Sequence, residues 1–167
     1  TVNTLTSSGA STVSGMICAS GTTVNFTRNK IFGLTGNNVS SVVNGITVSN
    51  GTTINVFNNI IGDLFLPTSG ATNSLNGLNL GGGTTVNASF NTVRLAATSS
   101  GLNFGSAAVS ASSTPTVTLR NNNFVNASTP VGTGLSVAYR RSSATLTSYG
   151  AASNNNNFST APPAIKH

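Results

Sequence analysis

The stretch "GTTVNFTRNKIF" at residues 21–32 returns as "GTTINVFNNIIG" from residue 51 and as "GTTVNASFNTVR" from residue 83. Recurrence at a fixed period constrains a fold more than any other sequence feature, because every copy must build the same unit and bury it against the next. With the apolar residue of the TVN element as an anchor, the copies fall at Val24, Ile54, Val86, Val117 and Leu146, in steps of 30, 32, 31 and 29 residues. Thr precedes each anchor, at Thr23, Thr53, Thr85, Thr116 and Thr145, and Asn or Thr follows it.

The rest of the unit follows from the anchor. Five residues on comes Asn29, Asn59, Asn91 and Asn122, and a five-residue insertion brings the fifth copy to Asn156. An apolar residue stands two positions later, at Ile31, Ile61, Val93, Phe124 and Phe158. Before each anchor lies a third apolar pair: Met16/Cys18, Ile46/Val48, Leu78/Leu80, Val109/Ala111 and Leu135/Val137. The gap from pair to anchor grows from six to nine residues before Leu146, which predicts a bulge over "YRRSSA". Short alternating runs of Val, Ile and Leu read as half-buried strands. β-Branched residues, Asn and Gly are poor helix formers.

These patterns predict an all-β chain, a right-handed parallel β-helix (solenoid) of about five coils of 29–32 residues, with three short strands per coil. The hand rests on the irregular period near thirty and on the right-handed crossover usual for parallel strands. Coils stack at the inter-strand spacing of about 4.8 Å, so five make a rod about 24 Å long. Asn at a corner tolerates left-handed φ and bonds nearby backbone, and stacked Asn side chains bond one another. An asparagine ladder is therefore expected at Asn29, Asn59, Asn91, Asn122 and Asn156. An outward threonine ladder is expected at Thr23, Thr53, Thr85, Thr116 and Thr145. Variable loops, at residues 5–14, 35–44, 65–76, 96–106 and 126–133, emerge on one side. The chain reads as a single domain over 1–167 that starts and stops in mid-coil, as a fragment of a longer chain or as one protomer of a filament.

The segments "GTTVNFTRNKIFGL", "NGITVSNGTTINVFNNIIGDL", "GTTVNASFNTVRLAATSSGLNFGSAAVSASSTPTVTLRNNNFVN" and "VAYRRSSATLTSYGAASNNNNF" resemble large secreted repeat proteins of Bacteroidota and Ignavibacteria-like bacteria. The resemblance covers nearly the whole chain. It implies a right-handed parallel β-helix, export by type IX secretion and a place at the cell surface or outside the cell. The C-terminal sorting domain of that family is not in this sequence.

Chemistry is sparse. Glycoside hydrolysis needs two carboxyl groups and calcium needs several, whereas the chain has one acid, Asp63, whose expected role is a turn or an ion pair with Arg94. General acid–base work by histidine would fall to His167. One cysteine, Cys18, forms neither an internal disulfide nor a Cys-rich metal site. No catalytic, cofactor-binding or metal-binding residue is assigned, and the expectation is that the chain is not an enzyme. No apolar run is long enough to span a membrane.

The leading expectation is a structural protein of a surface fibre whose partner is itself, stacked head to tail by edge-strand addition. The alternative is an adhesin or glycan-binding module that uses the loop face and the adjacent Arg140 and Arg141. The net charge of +6 suits acidic polysaccharide or another matrix glycan. Specific nucleic-acid binding is not expected, because Phe26, Phe32, Phe124 and Phe158 read as core. A third expectation is ice binding through the threonine column. Sequons at Asn25, Asn38, Asn87, Asn126 and Asn157 are frequent enough to arise by chance in a chain this rich in Asn, Ser and Thr.

Overall fold

Alternation of apolar residues with Thr, Ser and Asn turns every second side chain inward, and a parallel solenoid buries that side against the facing sheets. The computed structural model describes residues 1–160. These form strands, bridges and turns, with parallel pairing in every named sheet. The first sheet stacks Thr12–Cys18, Val42–Val48, Leu75–Leu80, Ser106–Ala111 and Ser136–Arg141. The second stacks Thr23–Thr27, Thr53–Phe57, Thr85–Ser89 and Thr116–Arg120. The third stacks Lys30–Ile31, Ile60–Gly62, Thr92–Leu95, Asn123–Asn126 and Asn157–Thr160. The chain is a parallel β-solenoid of about five rungs, each stacked in register on the one before.

A fourth sheet departs from the expected three strands per coil. Leu5–Ser7, Leu34–Gly36 and Leu64–Phe65 pair in parallel beside the first rungs. Leu34 and Leu64 are buried, so this sheet closes the interior between the third sheet and the return to the first. Parts of the stretches expected as loops at residues 5–14, 35–44 and 65–76 are therefore strand.

The interior is a set of apolar columns. Val24, Ile54, Val86 and Val117 stack in the second sheet, and Ile31, Ile61, Val93, Phe124 and Phe158 in the third. Gly15 and Gly45 stand where the first sheet comes closest to the third. A Cβ on Gly45 would lie 2.5 Å from Ile61 Cγ2 and 2.6 Å from the Gly77 carbonyl oxygen, so the close approach requires glycine.

The corner between the second and third sheets is built by two residues, and only one of them is the ladder asparagine. Positive φ falls on the preceding residue: Arg28 (55°), Asn58 (55°), Phe90 (57°), Asn121 (53°) and Asn155 (52°). The expected left-handed role of Asn29 and its equivalents is thus displaced by one position. Their side chains turn inward and stack instead. Asp63 occupies the next corner with φ 50°, which is the turn role.

The fifth rung corrects the expected register. Val117 pairs with Tyr149, not Leu146, and Ser148, not Thr145, stands beside Thr116. Leu146 and Leu135 are exposed, and the inward pair of the first sheet is Tyr139/Arg141, which pair with Val109/Ala111. Two factors draw the chain out. The Arg141 guanidinium bonds Thr145 O (2.7 Å) and Ser148 Oγ (2.9 Å), fixing a longer loop. Tyr139, Tyr149 and Phe158, one from each of the three main sheets' inward columns, then meet at 5.8 Å centroid separations. Apolar ring area filling the last interior layer outweighs the Thr–Leu–Thr pattern.

Candidate functional site

The inward asparagines form one continuous hydrogen-bonded column. Asn29 Nδ2 donates to Asn59 Oδ1 (3.0 Å), Asn59 to Asn91 (2.9 Å), Asn91 to Asn122 (3.0 Å) and Asn122 to Asn156 (2.8 Å). The Oδ1 atoms of Asn59, Asn91, Asn122 and Asn156 each also accept the backbone N–H of the asparagine one rung earlier, at 2.9–3.1 Å. The second Nδ2 hydrogen closes the corner, as from Asn91 to the Val56 carbonyl (2.8 Å). The corner's backbone groups, which no strand can pair, are thereby satisfied inside the solenoid. All five asparagines expected from the spacing take part.

Outside, Thr23, Thr53, Thr85 and Thr116 stand in register on the second sheet, while Thr145 lies out of that column. Beside them Asn55 donates to Asn25 (2.8 Å) and Asn87 to Asn55 (3.0 Å), so this second column spends its side chains on one another. That reduces its resemblance to a free, regularly spaced hydroxyl array. Arg140 and Arg141, named as contacts for an acidic partner, have different surroundings. Arg141 is committed to the loop that follows it, and half-buried Arg140 lies on the outer side of the first sheet, in register with Ser110.

The first sheet changes chemistry along its length. Val13, Val43 and Leu75 are followed inward by Ser106 and Ser136, and opposite them Leu95 is followed by Asn126. Asn126 Nδ2 bonds Ser106 Oγ (2.9 Å) and Val137 O (2.9 Å), and Ser106 and Ser136 hydroxyls bond at 2.9 Å. This is a satisfied polar cluster, with no titratable member. Burial pushes the neighbouring Tyr139 hydroxyl above its ordinary range, and the Arg141 charge beside it opposes the shift. Cys18 is buried, and its thiol donates to the Asn50 carbonyl at 3.1 Å. Among the described residues no three of His, Cys, Asp and Glu come together, and no helix is long and apolar enough to cross a membrane. His167 lies outside the described residues.

Known proteins offer no template. No protein-family model, curated protein or solved structure matches this chain.

The surface holds one grouping that the repeat pattern did not announce. Phe57 and Phe90, on successive rungs, are solvent-exposed and meet edge to face with centroids 5.4 Å apart. Of the phenylalanines read as core, Phe26 and Phe124 are buried, Phe32 is half-buried and Phe158 is 41% exposed. Parity from the anchor finds Phe57, and the corner position finds Phe90. Phe26 stands two positions after its anchor and points in, whereas Phe57 stands three after Ile54 and points out, and Phe90 stands four after Val86 at the corner.

Proposed function

We propose that this chain is a structural rod element, a β-helix block of a bacterial extracellular fibre or surface filament in which copies stack head to tail. One observation carries the reading: the asparagine ladder has a direction. Every Nδ2 points to the following rung, so among the described residues Asn29 Oδ1 accepts no ladder bond, and Asn156 Nδ2 donates only to Leu119 O. The first rung therefore presents the acceptor that the fifth rung's donor requires. Thr12–Cys18 and Thr23–Thr27 likewise have strand neighbours on one side only. Strand edges of this kind template further pairing, and stacking a second copy supplies main-chain bonds at the joint.

Val2 already bridges to Ile31 on the open side of the third sheet. A docking copy's Asn157–Thr160 competes with it, so displacing residues 1–4 accompanies assembly. Negative-stain and cryo-electron microscopy of the purified chain, with and without those residues, tests the reading. Filaments with an axial repeat of about 24 Å, five rungs at the strand spacing, are expected, and more readily from the trimmed chain. Monodisperse short rods from both forms, at every concentration, would sink it.

A further inference from the structure

The corner joining the second and third sheets sets Arg28, Lys30 and Arg120 around the exposed aromatic pair. Arg28 and Lys30 stand on the first rung, Phe57 on the second, Phe90 and Arg94 on the third, and Arg120 on the fourth. All six side chains are exposed. Register fixes their stacking: Thr27, Phe57, Ser89 and Arg120 share one outward column, and Arg28, Asn58, Phe90 and Asn121 share the corner. From Arg28 to Arg120 is three rung steps, about 14 Å at the strand spacing. Three of the chain's seven Lys and Arg, Arg28, Lys30 and Arg120, lie at this corner, and Arg94 stands further along the third sheet, in register with Gly62 beside the one acid, Asp63.

Phe90 breaks two local rules there. It holds φ 57°, a conformation that the sister rungs give to Arg28, Asn58, Asn121 and Asn155, and it is 52% exposed. A bulky side chain in the left-handed region costs about 1–2 kcal/mol, and its ring gains little by facing water. Its contact with Phe57 offsets part of this cost, and strained residues of this kind cluster at functional surfaces.

We propose that this strip binds an acidic polysaccharide, with the C–H faces of sugar rings against Phe57 and Phe90 and the sugar carboxylates on the flanking cations. Charge complementarity selects the partner class. A second copy of this chain brings a net charge of +6 and a single carboxylate side chain, so it offers the strip almost nothing to pair with. A single-stranded nucleic acid matches the charge, but successive bases need flat ring faces to stack on. Here the rings cross at 74°, and the edge of one covers a face of the other. A single sugar ring needs only one apolar C–H patch against the ring surface left exposed, not a run of parallel faces. The proposal is independent of filament formation.

Affinity electrophoresis and titration calorimetry of the full chain test it, with polygalacturonate as probe, dextran as its neutral counterpart and oligo-dT as the nucleic-acid comparison. Phe57→Thr with Phe90→Asn installs residues suited to outward strand and corner positions. Arg28→Gln with Arg120→Gln removes charge from both ends of the strip. Melting curves close to wild type establish that both variants fold. Polygalacturonate is expected to bind, with affinity falling as salt rises, and dextran to leave the chain unretarded. Each double variant is expected to bind about tenfold more weakly, a loss of about 1.4 kcal/mol, with the salt dependence reduced only in the arginine variant. Unchanged affinity in either variant, tighter binding of oligo-dT, or no binding of polygalacturonate at low salt overturns the proposal.

Discussion

Replacing Asn91 with alanine isolates what holds the corners. Asn91 is 1% exposed, and its side chain makes four hydrogen bonds. Its Oδ1 accepts from the Asn59 backbone N–H and from Asn59 Nδ2, and its Nδ2 donates to Val56 O and Asn122 Oδ1. Alanine strips two buried donors of Asn59 of their partner and takes a donor from two acceptors. At about 1–3 kcal/mol for each orphaned buried group, the two donors alone give a loss of roughly 4 kcal/mol. For a chain of this size that is a fall in Tm of about 8–16 °C. Asn87→Ala, on the outward ladder, removes one bond at a half-exposed position, where water replaces it, and should cost about 1 kcal/mol or less. Asn91→Asp sharpens the test. Its carboxylate can accept from Asn59 but faces the Val56 and Asn122 oxygens without a proton to give. Its folded pKa is therefore raised above the unfolded value of about 3.9, and the destabilisation appears as pH rises above that value and is relieved on returning toward it. Thermal melts followed by far-ultraviolet circular dichroism at pH 4 and pH 7 measure all three variants. If Asn91→Ala melts within a degree or two of Asn87→Ala, the inner ladder is geometry without net stability and the argument fails.

The fifth-rung register predicts that Tyr149→Ala, at a partly buried ring, loses about 1–3 kcal/mol, while Leu146→Ser, at a residue 66% exposed, changes Tm by no more than about a degree. The reverse order would restore Leu146 as the anchor. Tyr139 predicts an alkaline limit. Its pKa is raised by burial, so the contribution of the neutral phenol is intact below the unfolded value of about 10 and is lost as pH climbs through the folded value. A fall in Tm between pH 9 and pH 11 that is smaller in Tyr139→Phe is the expected sign, and equal falls in the two proteins count against it.

The parallel solenoid, four of five anchors and every member of the inner asparagine ladder were legible because each is set by a short-range rule repeated without interruption. An inward residue, an outward residue and a corner follow at fixed spacing in Val24–Asn29, Ile54–Asn59, Val86–Asn91 and Val117–Asn122. The fourth sheet was not legible. Leu34–Gly36 and Leu64–Phe65 are too short to show alternation, and they pair only because the neighbouring sheets hold them side by side. The fifth anchor was misplaced because Thr145–Leu146–Thr147 imitates the repeat, while the true register depends on the reach of the Arg141 guanidinium and on three aromatic rings brought together by the fold. Phe57 and Phe90 carry no expectation beside Phe26, Phe32, Phe124 and Phe158, although an odd count from its anchor turns Phe57 outward and Phe90 falls on the corner residue.

The same repetition explains why chemistry gathers where it does. A solenoid rung contacts only its neighbours, so an inward substitution is judged by the residues above and below it and by those facing it across the interior. Leu75 can give way to Ser106 because Ser136 and Asn126 change with it and satisfy its hydroxyl, and the polar cluster then spreads no further than the last two rungs. Outward positions are held less tightly, and coupling there is confined to neighbours such as Asn25, Asn55 and Asn87. Arg120 can succeed Ser89, and Phe57 can succeed Thr27, without any adjustment in the backbone. Function on this scaffold is therefore free to vary on outward columns and corners while the inner ladder stays fixed. A strip that combines strained, exposed and like-charged residues on one corner is costly to leave unused, which is the physical reason the Arg28–Arg120 corner, rather than the Arg140–Arg141 pair, is the surface to test first.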